Sequence, residues 1–477
     1  MNSREPSAVT PGGKLSVTEK LGYSLGDCAA NFVFQTQLIF LMSFYTDVFG
    51  IAASTVGTIF LVSRLFDAIN DPLMGALADR TSTRWGKYRP WVLLTALPFA
   101  IFFVLTYTTP ALGANGKVIW AFVTYNLLMI AYTANNIPYA ALTGVITGDP
   151  DERTSLVSWR FLLAMTAAFL VQTFTPDLVD WFGGGGDGGQ IDQARGYQWT
   201  MGMWATIAVV FFVITFMTTR ERVQPDPAQK SSLLQDVTDL LKNRTWLSLG
   251  MATVLVFVYL SMRGSVTPYY FNYFVAQQEP IGFGPLRLQP MGWFNGLGLL
   301  ATMFGILFSK ALSIRFGKRN TFSAAIGLTG LLTAAFWMLP PDALSAMIAL
   351  QMLLQFVYGI SIPLLWAMMA DVADFTEWKT GRRATAMTFA ATVFALKLGL
   401  SVGGALTGWL LDLNGYAPKA ETQSADATSA IRMMMSIGPA AAFGLAVLTL
   451  RFYSIGRRDE VQMGEELQAR RLAYENE

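Results

Sequence analysis

The sequence predicts an all-α membrane protein with twelve transmembrane helices in two six-helix bundles. Of its 477 residues, 53% are hydrophobic and only 14% are charged, against roughly 25% charged in an average soluble domain. A helix rising about 1.5 Å per residue needs about 20 apolar residues to cross a hydrocarbon layer about 30 Å thick. Twelve stretches meet that need, and a charged, proline-containing segment divides them into six and six.

The first half holds Leu21 to Tyr45, Ser54 to Leu77, Trp91 to Tyr107, Val118 to Thr147, Ser155 to Phe182 and Tyr197 to Thr218. The second holds Trp246 to Phe274, Met291 to Leu312, Thr321 to Leu339, Leu344 to Ala370, Thr385 to Leu411 and Ile431 to Phe452. Between them, Thr219 to Arg244 contains Pro225, Pro227 and the amphipathic stretch SLLQDVTDLLKN, and reads as a cytoplasmic linker. The expected division is a first bundle at 1–218, a linker at 219–245, a second bundle at 246–454 and a cytoplasmic tail at 455–477.

Lys and Arg in short loops stay on the cytoplasmic side. The connection after the second helix holds Arg80, Arg84, Lys87 and Arg89, and that after the eighth holds Lys310, Arg315, Lys318 and Arg319. The connection after the first helix has no Lys or Arg, and that after the third has only Lys117. Both termini are therefore expected in the cytoplasm, with a multi-pass chain in the cytoplasmic (inner) membrane. The first twenty residues lack the apolar core of a cleaved signal peptide. The run GGGGDGG at Gly183–Gly189 falls on the outer side and reads as a connector.

Composition also excludes function classes. The 34 Lys plus Arg nearly cancel 32 Asp plus Glu, so a net charge of +2 gives no reason to expect nucleic acid. There is no histidine and one cysteine, Cys28, which removes disulfides, thiolate metal sites and imidazole catalysis. No GxxxxGK[ST] run suggests ATP-driven transport. Neither an enzyme nor a bound cofactor is expected; the expected partners are the bilayer, a solute and a monovalent cation, and the chain is expected to be a monomer.

GALADRTSTRWGKYR after the second helix echoes GILFSKALSIRFGKR after the eighth: a glycine near the helix end, then a basic loop with another glycine. Either loop alone could be a topology signal, but matching places in two halves favour an internal repeat. Transporters built from repeats bind substrate near the bilayer midplane. The architecture resembles the major facilitator superfamily.

An ionisable group in the bilayer costs about 2.5–3.5 kcal/mol on insertion scales. Six stand out: Asp27 in the first helix, Asp67 and Asp71 in the second, Arg160 in the fifth, Arg263 in the seventh and Lys397 in the eleventh. Three negative and three positive charges suit a cluster lining a wet cavity, or a set of structural ion pairs. Asp67, Asn70 and Asp71 share one helical face by their spacing. Two carboxylates and an amide oxygen supply much of a small cation's shell, and a hydroxyl such as Thr133 could add to it. Without a metal, repulsion between the carboxylates would favour a proton; a purely structural polar face is the alternative. Asn31 and Gln35 continue a polar stripe from Asp27, suited to a hydroxyl-rich solute or to helix packing. Asn135 and Asn136, before Pro138, read equally as ligand groups or as interhelical hydrogen bonds.

DAINDPLMG at Asp67–Gly75 and RWGKYRPW at Arg84–Trp91 resemble the melibiose permease group, the glycoside, pentoside and hexuronide cation symporters. KLGYSLGD at Lys20–Asp27, FYTDVFG at Phe44–Gly50, NNIPY at Asn135–Tyr139 and ADVADFTEWKTGRR at Ala370–Arg383 extend the match over both halves. The resemblance implies a coupling cation, sodium with lithium or a proton as substitutes, on Asp67, Asn70, Asp71 and Thr133. It implies that Arg160 and Tyr132 lie at the sugar, and that Lys397 is the family's intramembrane lysine near both sites. Where the melibiose permease has two sugar-binding aspartates this chain has Asn31 and Asn136, and Arg263 looks like a feature of the uronide and xyloside branch. The candidate substrate residues are thus Asp27, Asn31, Tyr132, Asn136, Arg160, Arg263 and Lys397. A uronide would set its carboxylate against Arg263 or Arg160; for a neutral glycoside, Arg263 would pair with Asp27. The expected function is cation-coupled symport of a sugar, glycoside or uronide by alternating access. The competing readings are a lysolipid carrier of the same fold and a membrane sugar sensor.

Overall fold

The computed structural model describes residues 14–147, 149–184, 191–222, 242–283, 286–380, 385–459, 462, 463 and 466. Most of the glycine run, residues 223–241 of the linker, the end of the ADVADFTEWKTGRR motif and most of the tail lie outside the described residues. The helices are α1 (Val17–Ser43), extended by a π-helical turn at Phe44–Val48, α2 (Ala53–Arg80), α3 (Arg89–Thr106), α4 (Ala114–Ile146), α5 (Pro150–Phe182) and α6 (Gln193–Thr218). After the linker come α7 (Arg244–Tyr273), α8 (Pro290–Phe316), α9 (Lys318–Ala335), α10 (Leu344–Thr380), α11 (Thr385–Leu413), α12 (Ala425–Met435) and α13 (Ile437–Thr449). A two-stranded hairpin, Ile281–Phe283 with Leu286–Leu288, joins α7 to α8.

Counting α12 and α13 as one span, eleven helices among the described residues are long and apolar enough to cross a membrane. Helix α2 has the length, at 28 residues, but Arg64, Asp67 and Asp71 interrupt its apolar run. The twelve-helix reading of the sequence is therefore consistent with the fold, and α2 is polar because of the residues that matter most below. Starts are capped as the residue types dictate: Asn243 accepts from the backbone N–H groups of Thr245 and Trp246, and Ser424 accepts from that of Ala427. Within the spans, hydroxyls such as Thr36, Thr124 and Thr253 donate to the carbonyl four residues back. That bond satisfies a polar group where no water reaches it.

The chain packs into two compact units. The first takes residues up to Gln37 and Leu65–Gln229; the second takes Leu38–Arg64 and Lys230–Glu477. Division by helix count puts 38–64 with the first half, whereas packing puts it with the second. Within that second unit the Thr46 hydroxyl lies 2.7 Å from the Tyr269 hydroxyl. Tyr416 donates to Asp47, and the rings of Tyr269 and Tyr416 meet edge to face at 5.2 Å. A Cβ on Gly408 would stand 2.3 Å from the Ala53 carbonyl oxygen, so α2 and α11 touch backbone to backbone there. The FYTDVFG motif thus works as a packing element.

Both basic loops end in the same device. Gly86 (φ +111°) and Gly317 (φ +82°) take a left-handed conformation just before α3 and α9. Glu221 accepts from the backbone N–H groups of Lys87, Tyr88 and Arg89 at 2.8, 2.8 and 2.9 Å, capping α3 from a distant part of the chain. In the second unit the Lys318 ammonium donates to both oxygens of Asp371, at 2.6 and 2.7 Å. Each loop is fastened by an acid within its own unit.

Candidate functional site

In the first unit, helix α1 carries the KLGYSLGD motif because two of its neighbours approach very closely. A Cβ at Gly22 would lie 1.9 Å from the Thr218 hydroxyl oxygen, and one at Gly26 would lie 2.5 Å from the Tyr139 ring. The Tyr139 ring stacks parallel to Tyr23 at 4.7 Å, and its hydroxyl donates to the Tyr23 carbonyl at 2.8 Å. This stack is the floor on which Arg160 rests, with its guanidinium 5.3 Å from the Tyr139 ring centre.

Arg160 of α5 forms a two-point ion pair with Asp27, Nε to Oδ2 at 3.0 Å and Nη2 to Oδ1 at 3.4 Å. The Arg160 side chain is 26% exposed and that of Asp27 is 10% exposed. A charge-assisted, forked pair is among the stronger polar contacts available to a protein. Within the first unit, then, Asp27 has Arg160 as its partner. One turn along α1, the Asn31 amide donates to the Asp27 carbonyl at 2.9 Å.

Asp67, Asn70 and Asp71 occupy one face of α2. Asp67 is 3% exposed, and Asn70 and Asp71 are half-buried. Thr133 of α4, 2% exposed, donates its hydroxyl to Asp71 Oδ1 at 3.0 Å. Asn70 Nδ2 is buried and has no hydrogen-bond partner among the described residues. An amide keeps its shape when its nitrogen and oxygen exchange places, so this position can offer an oxygen instead. No group of three or more His, Cys, Asp or Glu side chains suited to a metal occurs among the described residues. The donor set is two carboxylates, one amide and one hydroxyl, hard oxygens suited to a small cation that is carried.

The neighbouring asparagines of α4 part company. Asn135 turns to α3, donating to the Thr95 hydroxyl at 2.9 Å and the Val92 carbonyl at 3.3 Å. The Asn136 side chain is half-buried and makes no hydrogen bond among the described residues. Tyr132 packs on Phe99 with ring centres 6.0 Å apart. A residue that the sequence reading passed over is Gln172 of α5, whose amide donates to Gln35 Oε1 at 2.9 Å. It lies in the run AAFLVQTF, where a lone amide carries no periodic signal.

In the second unit, Arg263 of α7 is 6% exposed. It donates to the Tyr259 hydroxyl at 3.2 Å, the Thr333 hydroxyl at 3.4 Å and Gln351 Oε1 at 2.8 Å. Its guanidinium also lies 4.6 Å from the Phe336 ring centre. No carboxylate stands among these partners. Lys397 sits half-buried in α11, where Gly399 and Gly403 bring that helix against the Val254 and Val258 carbonyls of α7.

A sequence profile described as MFS/sugar transport protein matches residues 22–457. The chain is 38% identical over 442 residues to the inner membrane symporter YicJ of Escherichia coli strain K12, covering 92% of each protein. It is 34% identical over 459 residues to the isoprimeverose transporter of Lactiplantibacillus pentosus, covering 95% of this chain and 92% of that one. Among solved structures, the nucleoside transporter NupG superposes with a TM-score of 0.62 at 13% identity, over 92% of this chain and 99% of that one. At that identity the superposition speaks to fold.

Proposed function

Because the chain belongs to the MFS/sugar transport protein family, we propose that it is a multi-pass carrier that moves a neutral glycoside together with a sodium ion by alternating access. The observation that carries this reading is the pairing of Arg160 with Asp27. The cation of the family's sugar-site arginine is already matched, so the accessible groups beside it are hydrogen-bonding rather than charged. Asn31 and Asn136, amides where the melibiose permease has carboxylates, point the same way. The relatives' names, a symporter and an isoprimeverose transporter, agree with a glycoside cargo.

The sodium assignment rests on the oxygen set of Asp67, Asn70, Asp71 and Thr133. Sodium between the two carboxylates would relieve their repulsion; a proton on one of them would do so as well, and lithium has the same appetite for hard oxygens. The basic loops around Arg84 and Lys318 support a cytoplasmic location for those ends of the bundles and for both termini, in keeping with an inner-membrane protein.

A second reading is favoured by one observation. Arg263 has no carboxylate among its described partners, and a uronide would bring one. Counterflow in proteoliposomes tests both. Preloaded neutral glucoside should drive uptake of labelled neutral glycoside when sodium is present, with a matched glucuronide competing weakly. Strong competition by the glucuronide alone would replace the neutral cargo with an anionic one, and absence of counterflow with every glycoside would overturn carriage itself.

A further inference from the structure

The polar stripe of α1 continues past the ion pair. Asp27, Asn31 and Gln35 recur every four residues and share a face, and from Asp27 to Gln35 the axis advances about 12 Å at about 1.5 Å per residue. Helix α5 answers at both ends: Arg160 meets Asp27 and Gln172 meets Gln35. Arg160 and Gln172 are farther apart along α5 than Asp27 and Gln35 along α1, a difference that the long arginine side chain spans.

The second rung is neither saturated nor sealed. Once Gln172 has donated to Gln35 Oε1, Gln35 Nε2 and Gln172 Oε1 have no further protein partner among the described residues, and neither atom is buried without a partner. Gln37 is the contrast two residues on: its Nε2 is buried with no partner. Open amide atoms at membrane depth are costly against lipid, so these face water or cargo.

We propose that Gln35 and Gln172 form a second sugar subsite that holds the outer ring of a disaccharide whose inner ring lies beside Asp27 and Arg160. The inference rests on the glycoside reading above and names its cargo as two rings long. A stripe of this length exceeds one pyranose. The free amide donor and the free amide acceptor suit a pair of neighbouring hydroxyls, one accepting and one donating. Both groups are uncharged, which fits a neutral ring better than an acidic one.

The test uses the full-length protein and two ligands, the neutral disaccharide that it binds best and the methyl glycoside of that sugar's inner ring. Binding is followed by calorimetry, with Gln35→Ala, Gln172→Ala and the double variant. Each single variant should weaken disaccharide binding about tenfold, the size of one or two lost hydrogen bonds, and methyl glycoside binding less than twofold. The double variant should lose little more than either single one, because the pair acts together. Methyl glycoside binding also reports whether each variant is folded. Equal losses for both ligands would make the amides an interhelical brace, and no loss for either would remove them from the site; both results overturn the subsite. If the parent bound the methyl glycoside and no disaccharide, the subsite would fall while the glycoside reading stood, and if it bound neither, both would fall.

Discussion

Arg160 and Arg263 are both intramembrane arginines, and the protein accommodates them in opposite ways. Arg160 meets a carboxylate at two points and keeps a quarter of its side chain exposed. Arg263 is almost fully buried and meets two hydroxyls, one amide oxygen and one aromatic face. In the first case one opposite charge cancels the cation; in the second, several dipoles and a ring quadrupole share it. A concentrated pair fails at once when its partner is removed, whereas a distributed one loses a fraction with each partner. The difference teaches that charge in a span does not by itself mark a binding group: what surrounds it decides whether it can be exchanged for a ligand.

The most severe break is Asp27→Asn, which leaves Arg160 without its countercharge. Removing one partner of a buried pair costs about 3–5 kcal/mol, and the exposure of Arg160 puts the expected loss near the lower end. Thermal unfolding in detergent should show a marked drop in midpoint, and glycoside binding should vanish. Adding Arg160→Gln should restore much of the stability and none of the binding. Full stability in Asp27→Asn alone would show that the pair is not the anchor described here.

Asp71→Asn comes next, because it removes a carboxylate of the proposed cation site that accepts from the Thr133 hydroxyl. Uphill, sodium-driven accumulation should fall about a hundredfold, while exchange of bound sugar persists. In the parent, sodium and sugar should each raise the other's affinity by one common factor, on the order of 5–150, and that factor should shrink to one in the variant. Affinity that ignores sodium but rises on acidification in the parent would transfer the coupling to a proton.

Arg263→Gln probes the distributed arrangement. Neutral glycoside affinity should stay within about threefold, and stability should fall by about 1–2 kcal/mol from lost hydrogen bonds to a charged group. A parent that prefers a glucuronide over the matched glucoside, with the preference erased by the substitution, would make Arg263 a ligand group. The mildest change is Tyr259→Phe, which removes one of the acceptors of Arg263 and should cost about 1 kcal/mol with no effect on transport.

What could be read in advance follows from range. The helices, and the single face of α2 shared by Asp67, Asn70 and Asp71, were legible because hydropathy and four-residue spacing are local. The partner of Asp27 was not, because residue type does not choose among the intramembrane cations and only folding brings together residues 133 apart in sequence. By residue type alone Asn135 and Asn136 were indistinguishable for the same reason, since the rotation of α4 about its axis decides which one faces Thr95. Gln172 was invisible because its meaning lies wholly in Gln35, 137 residues away. The membership of Leu38–Arg64 was hidden because α1 and α2 each cross from one unit to the other along an unbroken helix.

The two ends of α1 also differ in what holds them. At the Lys20 end are ion pairs, Lys20 with Glu152 at 2.8 Å and, from the neighbouring Glu19, a pair with Arg222 at 2.7 Å. At the Gly50 end are hydroxyl contacts, Thr46 with Tyr269 and Tyr416 with Asp47. Dissolved salt screens exposed ion pairs over a length that shrinks from about 8 Å at physiological ionic strength to about 3 Å at 1 M, and it hardly touches buried hydroxyls. The Lys20-end pairs are partly buried and so are screened less than surface pairs, which makes ionic strength a weak and one-sided solvent lever on this helix, easing its Lys20 end slightly while its Gly50 end stays fast.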